Sequence, residues 1–409
     1  MDTGEQRIRL SYERLLLICC SATFACYCGS YMRIPVVPLY ARLLGANTVQ
    51  IGVINSTFLL VAGAFSLPLG LVSDRIGRKL LILCGLVLIG ASSLLLSLAT
   101  SFRQIIWIYS IFGLGVAFFG PTMMSFVADF SPLTHIGRSY GWYTLAIYGG
   151  MSLGPAVGGG IAQWLGYKPV FLVAGVFLAV VAVLVFFILP RARHVVINRP
   201  ARRPALQILR ALVRNPLLLS CWMVTMGGCM GLGMFITFIP LYAQSRGLRI
   251  GQIGIIFLAQ AVSNSLSRLP FGRLSDYVSR RSSLVTAGFI CYAAALAGYG
   301  LASNLAWFVF FAVLTGVGMG LAFTAVGALI AEVVEPSFRG VAMGGYNSSI
   351  YLGMMLGSLV MGGVIRSTGY PHAFFIIAGI NLAVTFVFTL VFNFTRARAA
   401  PKRPVKENS

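Results

Sequence analysis

A chain of 409 residues that is 58% apolar and only 10% charged departs far from an ordinary soluble domain, in which about a quarter of the residues are charged. Its 31 Lys and Arg against 9 Asp and Glu give a net charge of +22, which on a soluble domain with clustered basic residues would point to nucleic acid. The apolar runs exclude that reading. Leu80–Ala99, Ile105–Ala128, Val170–Pro190 and Ala373–Val391 carry no formal charge, and each matches the roughly 20 residues that a helix needs to cross hydrocarbon.

Twelve such spans begin near residues 14, 50, 80, 105, 139, 170, 216, 252, 283, 305, 340 and 373. They lack the polar face that helices of a soluble protein of this length would carry. The expected fold is therefore an all-α integral membrane protein of twelve transmembrane helices. Residues 1–190 form an N-terminal six-helix half, 191–215 a basic, proline-punctuated linker, 216–394 a C-terminal half and 395–409 a basic tail. Residues 206–214 of the linker also suit a short helix on the membrane surface.

The apolar stretch from Leu15 runs past 20 residues with no small-residue cleavage pattern, so it reads as a first span and not as a cleaved signal. Cys19, Cys20, Cys26, Cys28, Cys84, Cys221, Cys229 and Cys291 all fall inside spans. Positions 26 and 28 point to different sides of a helix and no His lies near. The cysteines read as small buried hydrophobes, with no disulfide framework, metal or cofactor implied. Arg33 stands about 19 residues after Arg14, roughly 28 Å along a helix at 1.5 Å per residue. It is thus a cation in the outer third of its span, and two readings are open: snorkelling to the interface, or attraction of an anionic substrate.

The loop after the second span reads Gly70-x-x-x-Asp74-Arg75-x-Gly77-Arg78-Lys79. Gly70 permits close helix approach, and Asp74 suits a helix N-terminus. Arg75, Arg78 and Lys79 can pair with acids at other helix ends, Asp129 being the obvious partner. The fourth span carries Tyr109 and Phe112 ahead of Gly113-x-Gly115. The fifth carries Gly141-x8-Gly150-x3-Gly154-Pro155-x2-Gly158-Gly159. Gly150, Gly154 and Gly158 recur at i+4 and make one smooth face, and Pro155 removes a backbone hydrogen bond there.

Beyond the linker the same text returns. PLYARLLGANTVQIGVI at 38–54 answers PLYAQSRGLRIGQIG at 240–254, and LPLGLVSDRIGRK at 67–79 answers LPFGRLSDYVSRR at 269–281. The second loop is thus a weaker copy, Gly272-x-x-x-Asp276-x-x-x-Arg280-Arg281. At an offset drifting from 202 to 203, Asp129 meets Glu332 and Tyr148 meets Tyr351. Gly141, Gly150, Gly154 and Gly159 meet Gly344, Gly353, Gly357 and Gly362, while Pro155 is replaced by Ser358. A hydrophobic chain built as two copies of one unit is the signature of a transporter that rocks one half against the other.

Charge sorts by side. With the N-terminus placed inside, loops on that side carry 23 Lys and Arg and the opposite loops 6, which puts both termini and the linker in the cytoplasm. Basic loops also meet anionic lipid headgroups. The nine acids (Asp2, Glu5, Glu13, Asp74, Asp129, Asp276, Glu332, Glu335 and Glu407) lie at termini, in loops or at helix ends, and His135, His194 and His372 lie outside the spans. Proton coupling ordinarily runs through a titratable group inside the membrane, so little is expected. A membrane-embedded enzyme lacks support for the same reason. Arg268, two turns before Asp276, reads as a snorkelling residue.

The Gly70–Lys79 loop resembles motif A of the major facilitator superfamily, with Gly272–Arg281 its degenerate copy, and Gly141–Gly159 is similar to motif C, the antiporter motif of its drug exporters. The resemblance covers roughly residues 15–394. It implies a monomeric secondary transporter of two pseudo-symmetric halves, most similar to drug and metabolite exporters, in a bacterial inner membrane and without nucleic acid. It also implies that the motif A charges latch the outward-open state. Motif B of that family would place Arg at 109 and Gln at 112, where this chain has Tyr109 and Phe112. On helices that the family points at a central cavity, Arg33, Tyr109, Tyr148, Gln260, Asn264, Asn347 and Tyr351 become candidate contacts for a small-molecule substrate. The rival expectation is an importer or facilitator of an organic anion that uses Arg33 and no proton.

Overall fold

The computed structural model describes residues 12–132, 135–190, 212, 214–278, 280–335 and 338–399. Among these, the elements in chain order are α1 (Tyr12–Met32), α2 (Val36–Leu43), α3 (Thr48–Ile76), α4 (Arg78–Leu98), α5 (Phe102–Phe130), α6 (Ile136–Leu165) and α7 (Tyr167–Ile188). The second half follows with α8 (Pro216–Ser245), α9 (Ile250–Tyr277), α10 (Arg281–Leu301), α11 (Leu305–Val333) and α12 (Arg339–Ala399). Among the described residues, eleven stretches are long and apolar enough to cross a membrane. The last is 55 residues long and breaks at Gly369, where φ is 81° and ψ 170°, so it crosses twice and the spans number twelve. Several helices begin one to three residues before the apolar runs, because polar first turns such as Arg78, Arg281 and Arg339 extend them past the hydrocarbon. Most of the linker, including the proposed surface helix, and residues 400–409 of the tail lie outside the described residues.

The duplication read from the sequence is a duplication of structure. In the first half α1 packs on α6, α3 on α5, and α4 on α5 and α7; in the second, α8 packs on α12, α9 on α11, and α10 on α11 and α12. Close approach is built from paired glycines. A Cβ on Gly85 would lie 2.9 Å from the Gly115 carbonyl, and one on Gly318 3.0 Å from the Gly288 carbonyl, so neither pair tolerates a side chain without separating its helices.

Alternation of the spans gives the molecule two ends. The near end holds the start of α1, the end of α7 and the start of α8. The far end holds the turns at Gly45, Gly166, Gly247 and Gly369, whose φ of 81–86° is left-handed backbone that glycine adopts without a Cβ penalty. At the near end Asn215 caps α8. Its Oδ1 accepts from the amides of Leu217 and Leu218, and its Nδ2 donates to the carbonyl of Val333 at 3.0 Å, tying α8 to the end of α11.

One local difference separates the halves. The first span breaks between α1 and α2 at Arg33–Pro35, whereas α8 runs unbroken from Pro216 to Ser245. Pro35 lacks an amide hydrogen and its ring opposes the carbonyl one turn earlier; its copy is Thr237, which is a normal helix residue. Freed by the break, the Arg33 carbonyl accepts from the amides of Val36 (3.0 Å) and Val37 (2.9 Å).

Candidate functional site

Two seams join the halves, α3 against α12 and α6 against α9. Each is made from the same two glycines of the repeat. A Cβ on Gly362 would lie 2.7 Å from the Thr48 carbonyl, and Gly52 packs against the Ser358 carbonyl. On the other seam, a Cβ on Gly159 would lie 2.9 Å from the Ile250 carbonyl and one on Gly254 2.7 Å from the Pro155 carbonyl. Gly52 and Gly254 are copies, as are Gly159 and Gly362. Side chains bind across the same end: Arg42 Nη1 donates to Tyr370 Oη (3.2 Å), Thr48 Oγ1 to the Gly362 carbonyl (2.9 Å), Ser56 Oγ to the Met355 carbonyl (3.0 Å) and Asn55 Nδ2 to Thr237 Oγ1 (3.1 Å). At about 0.6 kcal/mol for each hydrogen bond between membrane helices, they supply roughly 2–3 kcal/mol together, enough to bias a two-state equilibrium without freezing it.

The contacts between halves named above lie toward the far end, and among the described residues Gly63–Tyr351 and Tyr148–Arg268 carry them inward. Behind them lies a cavity of about 400 Å³ walled by both halves. The seams close its far side, and on its near side the wall residue Asn347 is exposed. The cavity therefore opens toward the near end.

Five of the seven cavity candidates from the sequence line it: Tyr148, Gln260, Asn264, Asn347 and Tyr351. Arg33 and Tyr109 do not. Both are fully buried one layer behind the wall. The Arg33 guanidinium carbon sits 3.5 Å over the Phe112 ring and 5.7 Å from that of Tyr109, and its Nη1 donates to Ser92 Oγ (2.9 Å) and Ser93 Oγ (3.1 Å). Its Nε and Nη2 have no hydrogen-bond partner among the described residues. Snorkelling is excluded, since no part of the residue reaches the surface. Its aromatic neighbours are Phe112 and Tyr109 on the fourth span.

Arg268 corrects the sequence reading in the other direction. It was expected to snorkel, yet it lines the cavity, with its Nε donating to Asn264 Oδ1 (2.9 Å) and its guanidinium carbon 4.1 Å over the Tyr148 ring of the opposite half. A long arginine two turns from a helix end reaches inward as easily as outward when an aromatic face awaits it there. Sequence reasoning also passed over Tyr27, Tyr31, Asn55 and Tyr346 in the wall. The first two were legible as a one-turn aromatic pair on α1; Asn55 and Tyr346 had no distinguishing signal.

At the near end Arg78 pairs with Asp129 at 2.6 Å and, in the second half, Arg281, the copy of Lys79, pairs with Glu332 at 3.6 Å. Lys79 donates to the carbonyl of Leu189 at the end of α7, where a cation complements the helix dipole. Gly77 turns the chain into α4 with φ 99°, while Arg280 precedes α10 with φ −115°. Gly272 is loosely surrounded, with a Thr324 methyl 4.0 Å from a Cβ. The side chains of Asp74, Arg75 and Asp276, and the surroundings of Gly70, lie outside the described set. In the antiporter motif, Gly150, Gly154 and Gly158 pack on α1 at Phe24, Cys28 and Met32, while Pro155 and Gly159 face α9 across the seam. Gly141 takes no part in that packing.

The Major Facilitator Superfamily profile matches residues 19–252 and 243–409, nearly the whole chain. An uncharacterized MFS-type transporter of Methanocaldococcus jannaschii is 25% identical over 381 residues, 90% of this chain and 97% of that protein. Multidrug resistance protein 2 of Bacillus subtilis is 24% identical over 66% of this chain and 68% of its own. The quinolone resistance protein NorA of Staphylococcus aureus is 29% identical over 34% and 36%. Among solved structures, the nucleoside transporter NupG superposes with a TM-score of 0.75 at 15% identity, covering 92% of this chain and 99% of that one. A bacterial homolog of the human lysosomal transporter Spinster, inward-facing and unoccupied, gives 0.75 at 16% identity over 96% and 99%. With twelve spans, two copies of one unit and a cavity between them, the chain belongs to the Major Facilitator Superfamily and is a membrane transporter, not an enzyme.

Proposed function

We propose that this transporter exports a small organic molecule by alternating access, with its near end in the cytoplasm of a bacterial inner membrane. The observation that carries the reading is a cavity walled by both copies of the repeat and closed at one end by two copies of one glycine seam. Rocking about that cavity needs seams that close tightly and part at modest cost, which bare backbone contacts and a few weak hydrogen bonds provide. Export is favoured by the filled antiporter motif and by likeness to proteins named for multidrug and quinolone resistance. The orientation rests on the 23-to-6 bias of basic residues, and it makes the cavity open inward, the conformation named for the Spinster homolog.

A second reading, import or facilitated passage of an organic anion without protons, is favoured by one observation: among the described residues the cavity wall holds a cation and no acid. Proteoliposomes decide between the two. Exporter function requires uphill flux of a panel compound from the near-end face to the far-end face when an ion or counter-substrate gradient is imposed, while flux that runs only down the compound's own gradient, whatever other gradient is imposed, supports the facilitator. Reporter fusions at residue 200 and at the C-terminus that are active only outside would reverse the orientation.

A further inference from the structure

Among the described residues that line the cavity, Arg268 alone carries a charge at neutral pH. Its Nε is committed to Asn264 Oδ1 at 2.9 Å, which fixes the plane of the fork, and the rest of the guanidinium lies on the ring of Tyr148 at 4.1 Å. An arginine stays protonated, so this is a permanent charge at the cavity wall. An aromatic face holds it more weakly than a bidentate oxyanion would. Among the described residues no acid lines the wall to compete for it. Glu13, Asp129, Glu332 and Glu335 stand at near-end helix termini, and Asp276 lies eight residues along α9, about 12 Å of helix rise. Behind the opposite wall, Arg33 adds a second permanent charge of the same sign, with Nε and Nη2 buried and without a hydrogen-bond partner among the described residues. The field in the cavity is therefore positive from both halves, and low-dielectric walls concentrate it. The remaining wall is aromatic and aliphatic, with Phe58, Phe119 and Phe257 among its rings and Asn55, Gln260 and Asn347 as neutral polar groups.

We infer that the transported molecule is an amphipathic anion, an aromatic or apolar body bearing a carboxylate, sulfonate or phosphate, and that Arg268 binds its charged group by leaving the Tyr148 ring. The inference rests on the cavity being the transport site and names what that site selects. Because Tyr148 and Arg268 stand on opposite halves, the exchange of ring for oxyanion also undoes the innermost contact of the α6–α9 seam. Anion binding is thereby linked to release of the halves, whereas a lipophilic cation meets repulsion and leaves that contact in place.

The test is an equilibrium measurement that does not depend on the direction of transport. The full-length protein in phosphatidylcholine nanodiscs is titrated calorimetrically with naphthalene-1-sulfonate, naphthalene-1-sulfonamide and 1-naphthylmethylammonium, with empty nanodiscs subtracted. The sulfonate is expected to bind at least about tenfold more tightly than the ammonium, a ratio that corresponds to about 1.4 kcal/mol. Arg268→Gln should bring the two within about twofold, Arg268→Lys should keep part of the preference, and Tyr148→Leu should keep or strengthen sulfonate binding. A wild-type protein that prefers the ammonium, or that fails to bind the sulfonate at millimolar concentration, overturns the inference; so does an Arg268→Gln protein that retains the preference. Should Arg268→Gln fail to fold, the wild-type ratio and Tyr148→Leu carry the test. A wrong export direction shows only in vesicle flux and leaves these affinities unchanged.

Discussion

The two halves share one architecture and differ most in where charge is placed. Arg33 in the first half is answered by Phe235 in the second, and its surroundings are exchanged in step: Ser92, Ser93, Tyr109 and Phe112 become Ala295, Leu296, Ala312 and Thr315. The first half wraps a cation in hydroxyls and rings, and the second fills the same place with Phe235 packed on Phe257 (4.9 Å) and Tyr299 (5.8 Å). In the opposite sense Arg268 is answered by Ser66, whose hydroxyl turns back to the Ala62 carbonyl at 2.5 Å. What is retained in both copies is equally instructive. Tyr40 Oη donates to the Ala99 carbonyl (2.5 Å) and Tyr242 Oη to that of Ala302 (3.4 Å), while the seam glycines and turn glycines recur pair by pair. The copies thus agree at the seam and turn glycines and differ at the charged positions in and behind the cavity wall.

The sharpest way to break the symmetry is at the seams. Gly254→Val and Gly52→Val each push a side chain into backbone of the other half, where no rotamer change relieves the clash. Both should cut transport at least about a hundredfold, because the far end can no longer close. Cysteines placed at Thr48 and Gln163 should then label from the far side in either variant. If only one seam responds, the seams are not equivalent and the twofold description of the motion is wrong.

The near-end pairs should respond unequally. Arg78–Asp129 is the shorter pair at 2.6 Å and the more buried, with side chains 12% and 31% exposed against 29% and 47% for Arg281–Glu332 at 3.6 Å. Exposed ion pairs contribute about 0–1 kcal/mol and shielded ones more. Asp129→Asn is therefore expected to slow transport several-fold to tenfold, and Glu332→Gln by less than about twofold. Asp74→Asn against Asp276→Asn should show the same order, with Asp74 the more damaging while the protein still inserts. Equal and small effects in all four would reduce both loops to signals of orientation.

Much of this was legible before any coordinates. The repeat marks two halves and pairs Gly52 with Gly254, and the spacing of Gly150, Gly154 and Gly158 marks one smooth face of α6; that this face meets α1, and that Gly52 and Gly254 lie at seams between the halves, only the structure tells. The positions of the two span arginines were not legible. Arg33 and Arg268 each have a long flexible side chain near a helix end or break, and sequence spacing cannot tell which way such a chain turns. The decisive facts are non-local: Phe112 and Ser92 lie on other helices of the same half, and Tyr148 lies on the other half. The same limit hid Asn55, whose partner Thr237 is 182 residues away.

Arg33 provides a smaller test of the comparison. Arg33→Gln keeps a donor for Ser92 and Ser93 and removes the buried charge, so the fold should persist. Anionic probes should lose roughly threefold to tenfold in apparent affinity while neutral ones stay within twofold, an effect smaller than that of Arg268→Gln because Arg33 acts through the wall and not in it. Transport of cations that improves in the variant would strengthen the field argument, whereas an equal loss for every probe would make Arg33 a packing residue.

The smallest expected effect is that of a pH gradient. The two halves offer the cavity hydroxyls, amides, rings and one guanidinium, but among the described residues no carboxylate or imidazole lines it. The acids nearest a proton route, Asp129 and Glu332, are held in near-end ion pairs in both halves. A guanidinium does not release its proton at any physiological pH, so the wall has no group that can be loaded on one side and unloaded on the other. For a substrate that does not itself titrate, such as a sulfonate, a gradient of one pH unit should change the flux in proteoliposomes by less than about twofold, although one unit stores about 1.36 kcal/mol for each coupled proton. Robust gradient-driven transport of a permanent cation would overturn this and would place the coupling proton on the near-end acids, where Asp129→Asn should then abolish the gradient effect and Glu332→Gln should spare it.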